Sequence, residues 1–298
     1  MRIHELIEYA RNREVGIFLW IHSKLLAANP DEIMRTYKSW GAVGMKVDFF
    51  NRDDQDMVRT YHALAEKAAE HGLMLFYHGA YTPTGLRRTW PNVLTREGVM
   101  GNEWNKWSKL LTLEHTVTLP FTRMVPGPMD FTPGGFRNVM PEDFEPRNAD
   151  PLVIGTRARE LAMFVVYESP IQMLCDRPGA YRGEPGVDFL KIVPASWEES
   201  RCLAGEIGDF VVMARRHGRE WFVGAMTDET PREWEISLDF LEAGEPYELI
   251  QWTDPMGAAH ATALDRTVRR CVGGKDHKVV IRASRAGGAA LRFVLLGE

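Results

Sequence analysis

Cysteine, long apolar runs and an excess of positive charge are all scarce or absent in this sequence. Its three cysteines (Cys175, Cys202 and Cys271) are too few and too scattered for a disulfide framework or a CxxC metal site. No stretch of about 18 apolar residues occurs, as a membrane-spanning helix would need. The net charge of -5 over 298 residues provides no basic patch for nucleic acid. The sequence therefore predicts free thiols, no membrane span and no nucleic-acid partner.

The first twenty residues, MRIHELIEYARNREVGIFLW, contain neither the apolar core nor the cleavage site of a signal peptide. Apolar residues at helical spacing, from Ile3 to Ala10, predict an amphipathic helix instead. A predicted strand follows directly. This order is typical of the middle of a βα series.

Strands and helices alternate over residues 1–198, which predicts a parallel α/β fold. Pro30–Trp40, Asp54–His71 and Thr156–Glu168 have helical patterns, with Asp53 as the expected N-cap of the second helix and Asn29 as that of the first. Six buried strands are predicted, at Gly16–His22, Gly44–Phe50, Leu73–His78, Asn92–Gly98, Leu119–Val125 and Gln172–Cys175. We interpret this part as a (β/α)8-type barrel that lacks its first strands.

The pattern changes near residue 199, where short alternating runs separated by turn residues begin. These runs predict a C-terminal antiparallel β-sandwich over residues 199–298. The expected strands are Phe210–Arg215, Glu220–Ala225, Trp234–Leu238, Tyr247–Trp252, Val279–Ile281 and Ala290–Leu296.

Polar side chains stand at the ends of several predicted parallel strands, where the chemistry of a barrel enzyme lies. Lys46 and Asp48 share one face of the strand GMKVDFF. A carboxylate beside an ammonium group suits a nucleophile, but a structural ion pair has the same spacing. His78 ends the strand LMLFYH and is suited to a metal, to a substrate hydroxyl or to a structural role. His22 occupies a similar position.

Two glutamates, Glu97 and Glu103, lie in the segment TREGVMGNEWNKW. Paired carboxylates in a glycine-containing loop suit a hard cation such as Ca2+ or acid catalysis, although solvated loop acids look the same. Asp130 is a further candidate at the same end of the predicted barrel, but the sequence indicates no side chain that would pair with it. Aromatic residues crowd these loops and offer apolar faces to sugar rings, at Trp20, Phe49, Tyr77, Tyr81, Trp90, Trp104 and Trp107.

Several long segments together resemble glycoside hydrolase family 97. They are KVDFFNRDDQDMVRTYHALAEKAAEHGL, FYHGAYTPTGLRRTWPNVLTREGV, GNEWNKWS, TLPFTRMVPGPMDFTPG, LAMFVVYESPIQMLCDRP and EPGVDFLKIVPASW. The resemblance implies a calcium-dependent, exo-acting α-glycosidase with an N-terminal β-sandwich, a (β/α)8 barrel and a C-terminal β-sandwich.

The resemblance also implies a role for each candidate residue. Inverting members carry a glutamate base next to the strand-end histidine, and this sequence has Gly79 there, so the retaining pattern fits. In that pattern Asp48 is the nucleophile and Glu103 is the general acid/base. Glu97 is a calcium ligand, with Glu103 close to the ion. The substrate contacts implied are Lys46, His78 and Trp20.

Retaining members are similar to α-galactosidases, which implies an oligosaccharide or small α-galactoside as substrate. The family's N-terminal sandwich and first two barrel strands have no counterpart in these 298 residues. This leaves an alternative open, in which the chain is a non-catalytic remnant or one half of a split enzyme that binds carbohydrate or needs a partner chain. The sequence is also compatible with a homo-oligomer. The family resemblance suggests the bacterial periplasm as the location of the protein.

Overall fold

The computed structural model describes residues 2–257 and 260–297. The chain forms two compact units. The first unit consists of Met1–Val99, Pro126–Asp130 and Ser169–Ile171, and the second of Met100–Val125, Phe131–Glu168 and Gln172–Glu298. The domain boundary predicted between residues 198 and 199 stays a prediction, because compact units defined by contacts need not coincide with domains.

A four-stranded parallel sheet forms the centre of the first unit, and its strands are adjacent in chain order. Its strands are β1 (Phe18–His22), β2 (Gly44–Asp48), β3 (Met74–Tyr77) and β4 (Val93–Arg96). Each strand lies within one of the predicted apolar runs, so four predicted strands are confirmed. A parallel bridge between Arg96 and Met129 attaches the segment Pro126–Asp130 beyond β4.

Five helices belong to the first unit: α1 (Ile3–Arg11), α2 (Ser23–Ala28), α3 (Pro30–Trp40), α4 (Gln55–Glu70) and α5 (Leu86–Thr89). The apolar stripe of α4 packs into a core with the buried side chains of β2 and β3. Tyr61 and Leu64 of α4 and Val47 and Leu75 of the sheet are almost completely buried there. This core supports the sheet from below the strand ends that carry the candidate residues.

Of the two expected N-caps, the one of α4 is wrong, whereas Asn29 occupies the N-cap position of α3 as expected but without a side-chain bond. The Asp54 carboxylate accepts a hydrogen bond from the Met57 backbone N–H at 3.2 Å, so Asp54 and not Asp53 is the N-cap of α4. Asn29 makes no side-chain cap bond to α3, whose first turn begins with Pro30. Proline at N1 needs no donor partner, which explains why α3 begins there without a side-chain cap.

The second unit contains α6 (Leu113–Thr118), α7 (Arg157–Val166), α8 (Val187–Leu190) and a short parallel pair, β5 (Asn138–Val139) and β6 (Val153–Ile154). Short 3-10 helices cover Asn102–Lys106, Leu119–Phe121, Pro141–Asp143 and Pro178–Ala180.

Two predicted strands of this region are wrong. The run Leu119–Val125 begins with a 3-10 helix that continues α6, because Pro120 fits the first turn of a helix and has no N–H for a sheet. The run Gln172–Cys175 forms no strand. Its polar groups bond to loops and helix ends instead: the Gln172 amide donates to the Tyr167 carbonyl, and the Cys175 N–H donates to the Pro133 carbonyl.

An antiparallel sheet of six strands fills most of the second unit, in the order β12-β11-β14-β9-β8-β7. A two-stranded antiparallel ribbon of β10 and β13 shares one apolar core with one face of this sheet, and α7 packs against β9 and β14. The strands are β7 (Glu199–Glu206), β8 (Phe210–His217), β9 (Glu220–Thr227), β10 (Arg232–Leu238), β11 (Pro246–Thr253), β12 (Asp265–Val272), β13 (Gly274–Ala283) and β14 (Gly288–Leu295). The predicted C-terminal antiparallel structure is therefore confirmed.

The predicted free thiols are also confirmed, since Cys175, Cys202 and Cys271 form no disulfide. Within the residues that the structure describes, none of the helices combines the length and the apolar character needed to cross a membrane.

Candidate active site

Candidate side chains gather where the strands of the parallel sheet end. Asp48 is the last residue of β2, His78 follows β3, and Glu97 follows β4. Because parallel strands point the same way, their carboxyl ends meet at one edge. The bridge next to β4 adds Asp130 to this edge, and the Asp130 N–H donates to the Arg96 carbonyl at 3.0 Å. The structure thus brings together four residues that are far apart in the sequence.

The Asp48 carboxylate is held at both of its oxygen atoms. Its Oδ2 accepts a hydrogen bond from the Trp20 indole Nε1 at 3.0 Å, and its Oδ1 accepts one from the Phe49 backbone N–H at 2.6 Å. The residue is only 8% exposed. Two donors in fixed positions leave the carboxylate little freedom to rotate, so it is oriented before any ligand arrives.

Glycine at position 79 makes room for this carboxylate. Gly79 has a positive φ of 54°. A Cβ at this position would lie 2.7 Å from the Phe49 nitrogen and 2.9 Å from Asp48 Oδ1. Both distances are too short for a real side chain. Position 79 is therefore closed to any side chain in this arrangement.

The backbone directly after Asp48 adopts an uncommon conformation. Phe49 and Asn51 have φ values of 62° and 51°, in the left-handed region that costs a residue such as phenylalanine about 1–3 kcal/mol. The Ser23 hydroxyl donates to the Phe49 carbonyl at 2.9 Å, and the Asn51 N–H donates to the Gly79 carbonyl at 2.8 Å. These bonds hold the strained segment in place.

A chain of polar contacts runs from Lys46 to Glu97 through two buried residues. Asp130 Oδ2 lies 3.4 Å from Lys46 Nζ and 2.7 Å from His78 Nδ1. On the other side of its ring, His78 Nε2 lies 3.3 Å from Glu97 Oε1. The second oxygen of Glu97 accepts the Gly79 N–H at 2.8 Å. His78 is thereby fixed between two carboxylates, and Asp130 joins it to Lys46.

Asp130 makes more contacts with the other candidate residues than the sequence indicated. The segment GPMDFTPGG has no apolar run that predicts a strand, so nothing in it indicated a partner for this residue. In the structure Asp130 is 3% exposed, and its other oxygen, Oδ1, is buried without a hydrogen-bond partner. An acid enclosed in this way, beside a lysine and a histidine, is part of the functional edge.

An aromatic cage supports the end of β4. The guanidinium carbon of Arg96 lies 4.4 Å from the ring centre of Tyr61, 5.4 Å from that of Tyr77 and 4.9 Å from that of Tyr81. Burial raises the pKa of Tyr61 and of Tyr77, so both phenols stay neutral. The three rings stabilise the buried cation and fix the backbone that leads into Glu97.

The neighbouring aromatic and histidine side chains have separable roles. The His22 ring accepts the Lys24 N–H at 3.2 Å and caps α2, which is a structural role. Trp20 and Phe49 are 52% and 48% exposed, with ring centres 6.1 Å apart at an interplanar angle of 82°. Their free faces are apolar surfaces next to Asp48 of the kind on which sugar rings stack.

Glu103 belongs to the second unit, where it lies on the 3-10 helix Asn102–Lys106. Its carboxylate lies 3.4 Å from Lys106 Nζ, and its side chain is 40% exposed. Trp104 and Trp107 flank it, with ring centres 5.9 Å apart and exposures of 36% and 55%. An accessible carboxyl group between exposed indoles is suited to proton transfer to a bound sugar.

A buried glutamate anchors this 3-10 helix. Glu160 of α7 accepts hydrogen bonds at Oε2 from the Gly134 N–H at 2.8 Å, the Gly135 N–H at 3.0 Å and the Asn102 amide at 3.3 Å. Burial raises the pKa of Glu160, and the neighbouring Arg159 opposes that effect. Because Asn102 directly precedes Glu103, this buried acceptor positions the segment that carries the candidate acid.

Comparison with protein families identifies the chain. Residues 1–99 match the profile described as glycoside hydrolase 97. Residues 196–294 match the profile described as glycosyl-hydrolase 97 C-terminal, oligomerisation. The chain belongs to glycoside hydrolase family 97. The resemblance inferred from the sequence motifs is therefore confirmed.

Two curated relatives of this family 97 chain are substantially longer than it is. It is 39% identical over 294 residues to a retaining α-galactosidase of Bacteroides thetaiotaomicron, covering 98% of the chain and 44% of the relative. It is 42% identical over 225 residues to a probable retaining α-galactosidase of Streptomyces bingchenggensis, covering 74% of the chain and 33% of that relative. The chain thus spans less than half the length of either.

Solved structures of family 97 enzymes superimpose on the whole chain. An enzyme of Pseudoalteromonas sp. strain K8 in complex with acarbose has a TM-score of 0.89 and 31% identity, over 100% of this chain and 49% of that one. An E480Q variant of a family 97 enzyme from the same strain has been solved in complex with panose. A β-arabinopyranosidase has a TM-score of 0.82 and 26% identity, over 98% of this chain and 48% of that one.

Proposed function

We propose that this chain carries catalytic residues of a retaining, exo-acting α-galactosidase, with Asp48 as the nucleophile. The orientation of Asp48 carries the proposal. Its two oxygens are held by Trp20 and Phe49 at the end of a parallel strand, and Gly79 leaves no space for a competing base. The two curated relatives, which are named as a retaining and a probable retaining α-galactosidase, support the reaction class.

The proposed mechanism is a double displacement. Asp48 attacks the anomeric carbon while Glu103, carrying its proton, donates it to the leaving oxygen. A covalent glycosyl-enzyme forms, and the aglycone departs. Glu103, now a carboxylate, accepts a proton from water, which attacks the same carbon and displaces Asp48. Two inversions at one carbon give net retention of the α-configuration.

Substrate recognition is proposed for the residues around Asp48. Trp20 offers an apolar indole face together with its bond to Asp48, and Lys46 and His78 present polar groups at the neighbouring strand ends. Sugar hydroxyls bind such groups, whereas the apolar face of the ring stacks on the indole. A terminal α-galactosyl group on a small glycoside or oligosaccharide is the proposed ligand.

Calcium is proposed as the cofactor, with Glu97 as a ligand and Glu103 close to the ion. Because Glu103 must carry its proton in the first step, and a cation opposes that, groups other than Glu103 would supply most of the coordination. The donor chemistry of Glu97 fits, because a hard cation prefers carboxylate oxygens, and Glu97 is fixed by the Gly79 N–H. His78 offers a nitrogen atom, which a hard cation prefers less than oxygen, so His78 fits a substrate contact better than a calcium ligand. When bound, the cation would supply positive charge that orients carboxylates and substrate hydroxyls.

The whole-protein context is part of the same proposal. The parallel strands β1 to β4 are proposed to belong to a (β/α)8-type barrel, and the C-terminal region is proposed to support oligomerisation, as the description of its family profile suggests. Both proposals follow from membership of the family. Experimental structure determination tests the barrel, and light scattering tests oligomerisation.

The experiment that tests the function is an assay with aryl α-galactoside, aryl α-glucoside and aryl β-arabinopyranoside, in calcium and in chelator. NMR follows the first anomer released from the preferred substrate. We expect galactoside to be preferred, the α-anomer to form first, and chelator to reduce the rate. Release of the β-anomer first would contradict a retaining mechanism.

Matched variants assign the nucleophile. Asp48→Ala should lose at least 1,000-fold in kcat, and added azide should restore release of the aglycone and form the β-galactosyl azide. Asp53→Ala, which removes an exposed acid in the same unit, should retain full activity. If wild type and Asp48→Ala bind galactose equally and neither hydrolyses the aryl α-galactoside, the alternative holds: a carbohydrate-binding part that needs a partner chain.

A further inference from the structure

We propose that Ser23 is a positioning residue for Asp48, acting through the backbone of Phe49. This inference rests on the proposed role of Asp48 as the nucleophile. Ser23 is 3% exposed, and its hydroxyl bonds to the backbone of Phe49, the residue that follows Asp48. Its hydroxyl donates to the Phe49 carbonyl at 2.9 Å, and the Phe49 N–H in turn donates to Asp48 Oδ1 at 2.6 Å.

The peptide geometry explains why this indirect contact matters. Phe49 has a φ of 62°, a conformation that a phenylalanine adopts only where its surroundings impose it. Rotation about the N–Cα bond of Phe49 toward the extended conformation would move its carbonyl relative to the peptide plane that carries Asp48 and the Phe49 N–H. A donor on the Phe49 carbonyl favours the left-handed conformation by satisfying that carbonyl in a buried place. Ser23 therefore holds the backbone conformation in which Asp48 and the Phe49 N–H keep their place at the end of β2.

The surrounding contacts allow this arrangement and restrict it further. On the other side of the segment, the Asn51 N–H donates to the Gly79 carbonyl at 2.8 Å, and the bare Cα of Gly79 leaves space for the Phe49 nitrogen. Trp20 holds Asp48 at its second oxygen. With Ser23 removed, the Phe49 peptide that carries the Oδ1 donor is held less firmly. The carboxylate is then expected to shift with that peptide relative to Trp20.

Steady-state kinetics on aryl α-galactoside test the inference. Ser23→Ala should lower kcat about 10- to 100-fold and leave KM within about twofold, because the loss concerns attack geometry rather than binding. Ser23→Thr, which keeps the hydroxyl, should recover most of the rate. The control Ser39→Ala removes a serine hydroxyl that also donates to a carbonyl, that of Thr36, but lies on an exposed helix. It should change neither constant.

A second variant tests the route through the backbone. Asparagine enters the left-handed region more readily than phenylalanine. In a Phe49→Asn background, Ser23→Ala should therefore cost less than in the wild-type background. An equal loss of kcat in both backgrounds would overturn the proposed route.

A spectroscopic readout separates this inference from the proposed function. The Trp20 indole N–H bonds to Asp48, so its NMR resonance reports the carboxylate position without any turnover. Trp20→Phe assigns that resonance among the nine tryptophans. We expect it to move in Ser23→Ala and to return in Ser23→Thr. An unmoved resonance with unchanged kcat overturns the inference. If the wild-type chain shows no turnover but the Trp20 resonance still moves in Ser23→Ala, the proposed function is refuted and the positioning role of Ser23 stands.

Discussion

At the scale of single residues, Asp130 links two other residues of the candidate site, Lys46 and His78. One of its oxygens faces both Lys46 Nζ and His78 Nδ1, while its side chain is 1% exposed. Such a carboxylate acts by holding its neighbours, because it compensates one buried cation and fixes the orientation of one imidazole. Its loss should therefore affect stability and activity together.

We predict that Asp130→Ala lowers the free energy of unfolding by about 3 kcal/mol, because it removes a buried acceptor shared by two polar groups. Asp130→Asn should cost about 1 kcal/mol, since an amide oxygen still accepts one donor. Urea denaturation followed by fluorescence measures both. Asp53→Asn serves as the control and should leave the transition midpoint unchanged. Equal stability of Asp130→Ala and wild type would contradict this assignment.

The residues of the candidate site differ in how far the sequence alone predicted them. Asp48, His78 and Glu97 end apolar runs, so the positions of strand ends identified them. Lys46 became a candidate through alternation along the strand of Asp48, and Trp20 as one of the aromatic residues that could stack on a sugar ring. Asp130 and Ser23 act through contacts that span 52 and 26 residues of sequence, and no local pattern encodes these. Their roles required the folded chain.

At the scale of secondary-structure elements, burial decided which predictions were right. The strands β1 to β4 were predicted because each is a short apolar run between polar turns. The strand β12 was missed because it lies at the edge of its sheet and nearly all its residues are exposed, so its sequence DRTVRRCV shows no apolar alternation. The run LPFTRMV is apolar for another reason, since it continues helix α6.

The N-cap of α4 gives a prediction at this scale. Asp54→Ala should lower Tm by roughly 2 °C at pH 7, whereas Asp53→Ala should leave Tm unchanged. The hydrogen bond from Arg52, and then the Met57 N–H, hold the pKa of Asp54 below its ordinary value. Its stabilisation is thus present above the ordinary carboxyl pKa and is lost as the pH falls through the lower folded value.

Differential scanning calorimetry across this pH range checks the prediction. The Tm difference between wild type and Asp54→Ala should be full at pH 7 and should shrink below about pH 4. A larger effect for Asp53→Ala than for Asp54→Ala would reverse the assignment of the cap.

At the scale of the whole molecule, the second unit has buried charged groups of its own. Arg157, Arg159 and Glu160 lie side by side on α7, each 1% exposed, and Arg215 of β8 is 4% exposed. Burial lowers the pKa of the three arginines and raises that of Glu160. The stability of this unit should therefore respond to pH through the glutamate, because the arginines stay charged throughout the accessible range.

We predict that Glu160 stabilises the protein less as the pH rises. Its folded pKa lies above the unfolded value, so its contribution is complete below the ordinary carboxyl pKa and is lost as the pH rises through the folded value. The difference in unfolding free energy between wild type and Glu160→Gln should fall from pH 5 to pH 8, as measured by urea denaturation. Glu142→Gln, on the surface, is the control.

Two further outcomes bear on Glu160. Glu160→Ala should cost about 3 kcal/mol, because it leaves three buried N–H donors without their acceptor. A difference between wild type and Glu160→Gln that grows with pH would show that the carboxylate form is the stabilising one, against the expected sign.

The bare Cα of Gly79 has a consequence for any substitution at this strand end. Because a side chain at position 79 would collide with Asp48 and with the Phe49 backbone, the segment after β3 can approach the end of β2 this closely only with glycine. The ends of β2 and β3 are thus coupled by packing, and a larger residue after β3 requires an adjustment at the end of β2.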